Sequence, residues 1–190
     1  MDLPIIKLTI NEDDETRVEK VSFVDDPAIE RQWMAFKSDK NPFKFAADEE
    51  QRVVSGPLMV AGLPIYRFDE KFGEYYVQFD AATIKNIVLK FHKEQRMASV
   101  NLMHEVDVDD VFMFESFIID ERKSTPKGFE TMPNGSWFGS FKVNNDEVWA
   151  KVKSGEFRGF SVEGIFEEYA ERLADEELIE RIIHVLQEKS

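Results

Sequence analysis

The sequence predicts an α+β fold, an antiparallel or mixed β-barrel with helices around its outside. About eight segments carry the alternating or continuous apolar pattern of strands, and most of them are joined by short connections. Roughly two or three further segments have the period of amphipathic helices. With 190 residues, 43% of them hydrophobic, the chain is long enough to form one domain around one core.

The first half of the chain predicts strands on both sides of an irregular stretch. Apolar residues alternate over 5–24 on either side of the acidic run NEDDE, which predicts an N-terminal hairpin within residues 1–32. Residues 33–51 have no clean period and contain Pro42, so we expect a linker or flap there. The barrel core is expected over 52–168, beginning with bent strands in RVVSGPLMVAGLPIYR and a further strand in EYYVQF.

Two helices are predicted by their caps as well as by their period. Asp80 can cap a helix over 81–96, whose apolar residues recur at i, i+3, i+4 and i+7. Asn145 can cap a shorter helix that runs to about Lys153, and Gly155 is a suitable terminator for it.

The second half of the chain otherwise alternates between apolar strands and loops. ASVNLMH predicts a strand with Val100, Leu102 and His104 on one face, and DVFMFESFIID predicts a strand that is covered on both sides. WFGSFKV and the stretch around Ser161 predict two more strands. The C-terminal segment 169–190 has the pattern of a final amphipathic helix, which would either pack on its own domain or form a homodimer.

The composition excludes several functional classes. Lys and Arg number 24 against 38 Asp and Glu, so the net charge of −14 disfavours phosphate backbones and anionic membrane surfaces as partners. There is no cysteine, which excludes thiol catalysis and cysteine metal sites and favours a reducing, cytosolic setting. No apolar run reaches about 18 residues, and the opening MDLPIIKLTI lacks a basic leader. We expect a soluble, unexported protein that binds neither nucleic acid nor membrane.

Three histidines are present, and one has a setting that suits a general base. His92 lies among lysines on the first predicted helix, and His184 lies in the acidic C-terminal segment, so surface roles are expected for both. His104 ends an apolar strand and precedes the acidic run EVDVDD. Partial burial there would favour the neutral imidazole that a base needs. A histidine that merely caps a strand end is the alternative.

The run HEVDVDD, which begins at His104, raises the question of a metal site. It packs one histidine and four acids into seven residues. The spacing matches neither HExxH nor an EF-hand loop, and alternating acids on an extended segment usually form a solvated face. The sequence therefore predicts no metal and no cofactor.

The stretch FRGFSVEG, residues 157–164, contains the candidate nucleophile Ser161. Strand alternation places Ser161 and Glu163 on one face, so a polar strand face explains both without any chemistry. Gly159 and Gly164, however, would let a peptide backbone approach the hydroxyl, and free amides there could hold an oxyanion. The chain has no Gly-x-Ser-x-Gly elbow, so a serine enzyme here would be of another type.

Three features follow one another along the chain. They are VNLMHE with His104, an apolar strand, and a small helix that ends in SGEFRGFSVEG with Ser161. Together they resemble the tailed-phage prohead (capsid maturation) proteases, most closely their XkdF-like branch. Ordinary members have a QHD-like histidine strand and a GLSIGF-like serine strand in the same order. The resemblance covers residues from about 50 to 168. It implies the fold of the herpesvirus assemblins, a β-barrel of about seven strands ringed by helices.

The resemblance also implies an activity. The family's members are serine endopeptidases that act inside the immature capsid, in the host cytoplasm, on scaffold protein and on the N-terminal arm of the major capsid protein. Ser161 would attack the scissile carbonyl, and His104 would take its proton and return it to the leaving amine. The alternative is a non-catalytic member that keeps the fold as a capsid-assembly or scaffold-binding module.

The third catalytic residue is left open between two acids and a Ser-His dyad that is helped by water instead of an acid. VEKVSFVDDPAIE, residues 18–30, resembles the EVSLVDxPA strand that follows the serine in ordinary members, which implies either a circular permutation within the barrel or the characteristic arrangement of the XkdF-like branch. Lys20 stands where those members have an acid, and Glu19 lies one residue earlier, on the opposite face unless a bulge shifts the register. Glu163 is the second candidate, because it shares the face of Ser161 about 7 Å along the strand.

Overall fold

A computed structural model describes residues 3–10, 16–25, 44–69, 73–123 and 125–169. In these ranges the chain forms twelve strands, two α-helices and one 3₁₀ turn. The strands are β1 (Ile5–Thr9), β2 (Arg17–Val24), β3 (Ala46–Asp48), β4 (Val53–Met59), β5 (Ile65–Asp69), β6 (Gly73–Gln78), β7 (Val100–Leu102), β8 (Val106–Asp107), β9 (Val111–Ile118), β10 (Trp137–Val143), β11 (Gly159–Ile165) and β12 (Glu167–Tyr169). The helices are α1 (Ala81–Lys93) and α2 (Asp146–Ser154), and the 3₁₀ turn is Arg96–Ala98.

The strands form three four-stranded sheets. Their orders are β12-β1-β6-β5, β3-β4-β10-β9 and β11-β2-β7-β8. The β1–β6 and β2–β7 pairs are parallel and the other pairs are antiparallel. The predicted α+β class and mixed strand directions are confirmed, but no sheet closes into the expected barrel of about seven strands within the ranges described. Strand patterns specify which residues face a core, not how many sheets share it.

The N-terminal hairpin expected over residues 5–24 is not formed. Both strands exist, but β1 lies between β12 and β6, and β2 lies between β11 and β7 in a different sheet. Alternation predicts a strand and its buried face, whereas the partner at each edge is set by distant residues. The consequence for function is that β2 lies directly beside β11, the strand that carries Ser161.

The core is dominated by aromatic side chains from several strands. Phe23 of β2 is fully buried, and its ring lies 5.1 Å from that of Phe160 and 5.6 Å from that of Phe141, measured between centroids. Phe91 of α1 packs edge-on against Trp137 of β10 at 5.1 Å. Strands β2, β10 and β11 are therefore held together by one continuous set of buried rings.

Both predicted helices are confirmed together with their caps. The Asp80 carboxylate accepts a hydrogen bond from the Thr83 amide at 2.7 Å, and this bond lowers the pKa of Asp80 below its ordinary value. The Asn145 side chain accepts from the amides of Glu147 and Val148, each at 3.1 Å. Gly155 ends α2 in the left-handed conformation, at φ 73°. α1 ends at Lys93, three residues before the predicted end at 96.

Several other expectations fall partly or wholly outside the described residues. Of the predicted flap, residues 33–43 lie outside, while Ala46–Asp48 forms β3 and pairs with β4. His184 and residues 170–190 of the predicted C-terminal helix also lie outside, while Tyr169, the first residue of that prediction, ends strand β12 instead. Neither described helix has the length and apolar content that crossing a bilayer requires.

Gln95, just after α1, offers a test of the local backbone. It has a left-handed φ of 57°, its amide donates to the His92 carbonyl at 3.0 Å, and its side chain is exposed. Because glycine adopts this conformation without a Cβ clash, Gln95→Gly is expected to raise the free energy of unfolding by about 1 kcal/mol. Urea denaturation measures the change. The matched Gln95→Ala keeps the clash and should unfold like the parent. A glycine variant no more stable than the alanine variant would contradict the left-handed conformation of Gln95.

Candidate active site

Strand pairing in the sheet β11-β2-β7-β8 brings the two sequence motifs together. In the β11–β2 pair, Ser161 lies opposite Ser22 and Glu163 lies opposite Lys20. In the β2–β7 pair, Ser22 lies beside Asn101. Directly opposed residues project from the same face of a sheet. One face of this sheet therefore carries a row of polar side chains from three strands, although Phe23 and Phe160 on the other face are core residues.

His104 lies in a tight turn rather than at the end of a strand. β7 ends at Leu102, and the Glu105 amide donates to the Leu102 carbonyl at 2.9 Å, so His104 is a central residue of the turn to β8. Met103 and His104 have left-handed φ angles of 53° and 62°. Leu102 pairs with Val106, so residues 103–105 connect the two strands. Two successive left-handed residues are strained unless they are glycine, asparagine or aspartate. The placement predicted on the face of Val100 and Leu102 is therefore wrong, because pairing with β8 forces the chain to reverse.

The imidazole of His104 is held through its Nδ1 atom. The Ser22 Oγ lies 2.8 Å from Nδ1, and the Glu163 Oε2 lies 3.5 Å from it. About two fifths of each side chain is accessible, 38% for His104 and 40% for Glu163. Within the part of the chain that the structure describes, Nε2 makes no hydrogen bond. The nitrogen that remains for proton transfer is therefore Nε2.

Two buried polar residues connect His104 to Glu163 by a second route. The Ser22 Oγ donates to the Asn101 Oδ1 in a short hydrogen bond, and the Asn101 Nδ2 donates to the Glu163 Oε2 at 2.9 Å. Ser22 is fully buried and Asn101 is 2% exposed. Sequence reasoning missed both. The sequence did contain a signal for them, since Ser22 in VSFV and Asn101 in VNLM are polar residues inside apolar strands. A buried polar side chain needs a hydrogen-bond partner, so each pointed to a contact elsewhere in the fold.

Ser161 is half-buried on β11 and lines a cavity together with His104 and Glu163. No hydrogen-bond partner of its hydroxyl is found among the described residues. Ser22 makes the closer contact with His104, but its complete burial keeps it from any substrate. Of the two serines, Ser161 is the one that a substrate can reach.

Glu19, the other candidate acid, has a different partner. The register between β11 and β2 shifts at this point, since Glu163 pairs with Lys20 and Gly164 with Val18, and Glu19 is the extra residue of the bulge. The β-bulge that would be needed to shift the register at Glu19 is therefore present. The Glu19 carboxylate nevertheless pairs with the Arg17 guanidinium at 3.1 Å. The structure brings Glu163, but not Glu19, into contact with His104.

Lys20 pairs with an acid on β8. Its ammonium binds the Asp107 carboxylate of β8 at 2.5 Å, and this hydrogen bond raises the pKa of Lys20. The pair links β2 to the strand that follows the His104 turn. Lys20 thus helps to anchor the hairpin that carries the histidine.

Gly164 has a packing role that the sequence did not suggest. A Cβ at this position would lie 2.2 Å from the Arg17 carbonyl oxygen and 2.8 Å from the Val18 Cα. The backbone that approaches this glycine is thus that of β2 at its bulge, not that of a substrate. The glycine keeps Glu163 in register with Lys20.

The cavity has a volume of about 530 Å³ and runs along β11. Five consecutive residues of this strand, 160–164, line it, and among the strands that the structure describes β11 is the last of its sheet. The rest of the lining is mainly apolar. It includes Leu8, Leu63, Ile65 and Phe79, together with the charged Arg67. The cavity therefore offers an apolar surface next to the Ser161 hydroxyl.

The other titratable residues of interest do not join this site. The Nδ1 of His92 lies 2.8 Å from the Val88 carbonyl oxygen of its own helix, so its role is local. In the described ranges, no three His, Asp or Glu side chains are arranged so that they could hold a metal ion.

Comparison with known proteins gives one family and one relative. A family model described as "Putative phage serine protease XkdF" matches residues 43–170, about two thirds of the chain. "Uncharacterized protein YqbD" of Bacillus subtilis (strain 168) is 28% identical over 164 residues. That alignment covers 80% of this chain and 45% of the relative, so the chain spans less than half the length of that protein. No solved structure matches.

Proposed function

We propose that this chain, which belongs to the phage serine protease XkdF family, is a serine endopeptidase of prohead maturation. The observation that carries the proposal is the geometry of His104. Its Nδ1 is engaged by Ser22 and Glu163, whereas its Nε2 is available, and it lines the same cavity as the accessible Ser161. A histidine held on one side and available on the other is the arrangement that activates a serine.

The reaction follows from these positions. The Ser161 oxygen attacks the scissile carbonyl carbon while its proton passes to the His104 Nε2. The same proton then moves to the amine nitrogen as the C–N bond breaks, which leaves an acyl ester on Ser161. A water molecule, deprotonated by the same nitrogen, hydrolyses the ester and restores the serine.

Glu163 is the third residue of this proposal, in preference to Glu19. Its carboxylate lies 3.5 Å from Nδ1, so it would stabilise the positive charge that forms on the ring when Nε2 takes a proton. The Glu19 carboxylate is paired with Arg17 and has no such contact.

The cavity supports an extended peptide as the substrate. A peptide could lie along the edge of β11, and an apolar side chain next to the scissile bond would enter the apolar wall. We propose scaffold protein and the N-terminal arm of the major capsid protein as the natural substrates, cleaved inside the immature prohead in the host cytoplasm. The proposed reaction needs no metal and no cofactor.

The assemblin-like barrel and its circular permutation also belong to the proposal. β2 carries VSFV, the start of the motif that in ordinary members follows the serine, and here it precedes β11 by more than a hundred residues and pairs with it. A circular permutation would place this motif before the serine strand in the chain and beside it in the sheet.

A non-catalytic module for capsid assembly or scaffold binding is the second candidate. It is favoured by one observation, namely that no hydrogen bond joins the described side chains of Ser161 and His104. Catalytic hydrogen bonds are often long in free enzymes and tighten only around a substrate.

Labelling with a serine-directed phosphonate separates the two candidates. We expect a diphenyl phosphonate with a leucine-like side chain to attach to Ser161, because only an activated hydroxyl attacks the phosphorus. Peptide mass spectrometry locates the adduct. A glutamate-like probe should react more slowly because its charge would enter an apolar cavity.

The control is His104→Ala, which should abolish labelling. Circular dichroism checks that this variant is folded. An adduct on another serine, or labelling that survives His104→Ala, would exclude the proposed mechanism. No labelling of the folded parent by either probe would favour the non-catalytic module.

A further inference from the structure

We propose that Ser22 and Asn101 form a buried hydrogen-bond relay that fixes the tautomer of His104 and so makes Nε2 the base. The relay comprises His104, Ser22, Asn101 and Glu163, joined by three hydrogen bonds. This inference rests on the proposed function, since it assigns two positioning residues to the same site.

The direction of the relay starts from Glu163. A carboxylate only accepts hydrogen bonds, so the atom of Asn101 that faces it must be the amide nitrogen. The other amide atom, Oδ1, then faces Ser22 and can only accept. A flipped Asn101 would place two acceptor oxygens against each other, which is unfavourable in a buried site.

The remaining hydrogens follow from this orientation. A serine hydroxyl has a single hydrogen, and that of Ser22 is donated to Asn101. Toward His104 the Ser22 oxygen can therefore only accept, so the Nδ1 at 2.8 Å must carry the hydrogen. A neutral imidazole with hydrogen on Nδ1 has its lone pair on Nε2. The relay thus prepares the histidine to take the proton of Ser161.

Burial gives the relay its strength and explains its residues. Ser22 and Asn101 are almost completely inaccessible, so water cannot replace either partner, and an unsatisfied group there would be costly. The relay also links His104 to the carboxylate that lies 3.5 Å away. Glu163 therefore has two roles, as the charge that stabilises the imidazolium and as the acceptor that orients the relay.

Nitrogen NMR of the whole ¹⁵N-labelled chain tests the tautomer without any substrate. At about pH 8.5, where free histidine is neutral, the His104 Nδ1 should show a protonated shift and Nε2 an unprotonated one. The His104 signals are identified by their loss in His104→Gln. In Ser22→Ala the ring loses its fixed acceptor, and the signals should move toward the Nε2–H tautomer.

Kinetics with a cleavable peptide provide the second readout. Ser22→Ala and Asn101→Ala should each lower kcat by about 10²-fold with little change in KM, because a base in the wrong tautomer cannot accept the proton. Since the two residues act as one relay, the double variant should be no slower than the worse single variant. The matched control is Ser140→Ala, which removes another buried strand hydroxyl, one bonded to Ser55. It should keep both kcat and the His104 shifts.

The two ideas fail in different ways. Hydrogen on Nε2 in the parent chain, or unchanged shifts and kcat in folded Ser22→Ala, would overturn the relay even if Ser161 is the nucleophile. If Ser22→Ala does not fold, Asn101→Ala and the parent spectrum decide the question. An Nδ1–H tautomer in a chain whose Ser161 takes no phosphonate would support the relay and overturn the proposed protease.

Discussion

If the proposed function holds, Ser161→Ala is expected to reduce cleavage of co-expressed scaffold and capsid protein by about 10⁴-fold or more, because removal of a serine nucleophile leaves only residual catalysis. The fold should be unaffected. Ser161 is half-buried, its hydroxyl has no partner among the described residues, and its backbone pairing with Ser22 does not need the side chain. Gel analysis of the two substrates over time measures the loss.

The matched control for this change is Ser55→Ala, another partly buried strand serine, whose hydroxyl donates to Ser140 away from the cavity. It should cleave at the parental rate. If Ser161→Ala cleaves as fast as Ser55→Ala, Ser161 is not the nucleophile. Loss of cleavage in both variants would indicate a general effect on folding rather than on chemistry.

Phe23→Ala is expected to have the largest effect on stability, a loss of about 3–5 kcal/mol in the free energy of unfolding. Phe23 is fully buried, and its ring contacts four others from three segments of the chain, those of Phe45, Phe141, Phe157 and Phe160. Truncation would leave a cavity where β2 and β11 meet the core. Because Ser22 is the adjacent residue, activity should fall with stability.

Denaturant titration of the variant measures the change, and Phe68→Ala provides the comparison. Phe68 is 63% exposed on β5, so its truncation should change the free energy of unfolding by less than about 0.5 kcal/mol. Equal losses of unfolding free energy in the two variants would mean that the aromatic rings around Phe23 do not hold β2 in place.

The elements that sequence predicted well are those with local causes. The capped and amphipathic helices α1 and α2 were predicted with their capping residues, because a cap and a helical period involve residues within a few positions of one another. The apolar strands around residues 53–59, 111–118 and 137–143 were predicted for the same reason. The expected cover on both sides of 111–118 was wrong, because Phe112 and Phe114 are exposed on one face.

The candidate site was predictable only in part. His104, Ser161 and Glu163 could be named from their motifs and from strand alternation, and the structure places all three beside one cavity. The turn that carries His104 could not be predicted, because Met103 and His104 adopt left-handed conformations without being glycine or asparagine, the residues that usually signal them. Ser22 and Asn101 were missed because their partners lie 82 and 62 positions away along the chain.

By itself the sequence determined the two capped helices and the longer apolar strands, which side chains are apolar enough to be buried, and which carry nucleophilic or basic groups. Only the tertiary structure decided that β2 separates from β1 and inserts between β11 and β7, and that Glu163 rather than Glu19 contacts His104. The physical reason is that helix caps and strand alternation are local, whereas strand pairing and the satisfaction of buried polar groups depend on residues that folding brings together from distant parts of the chain.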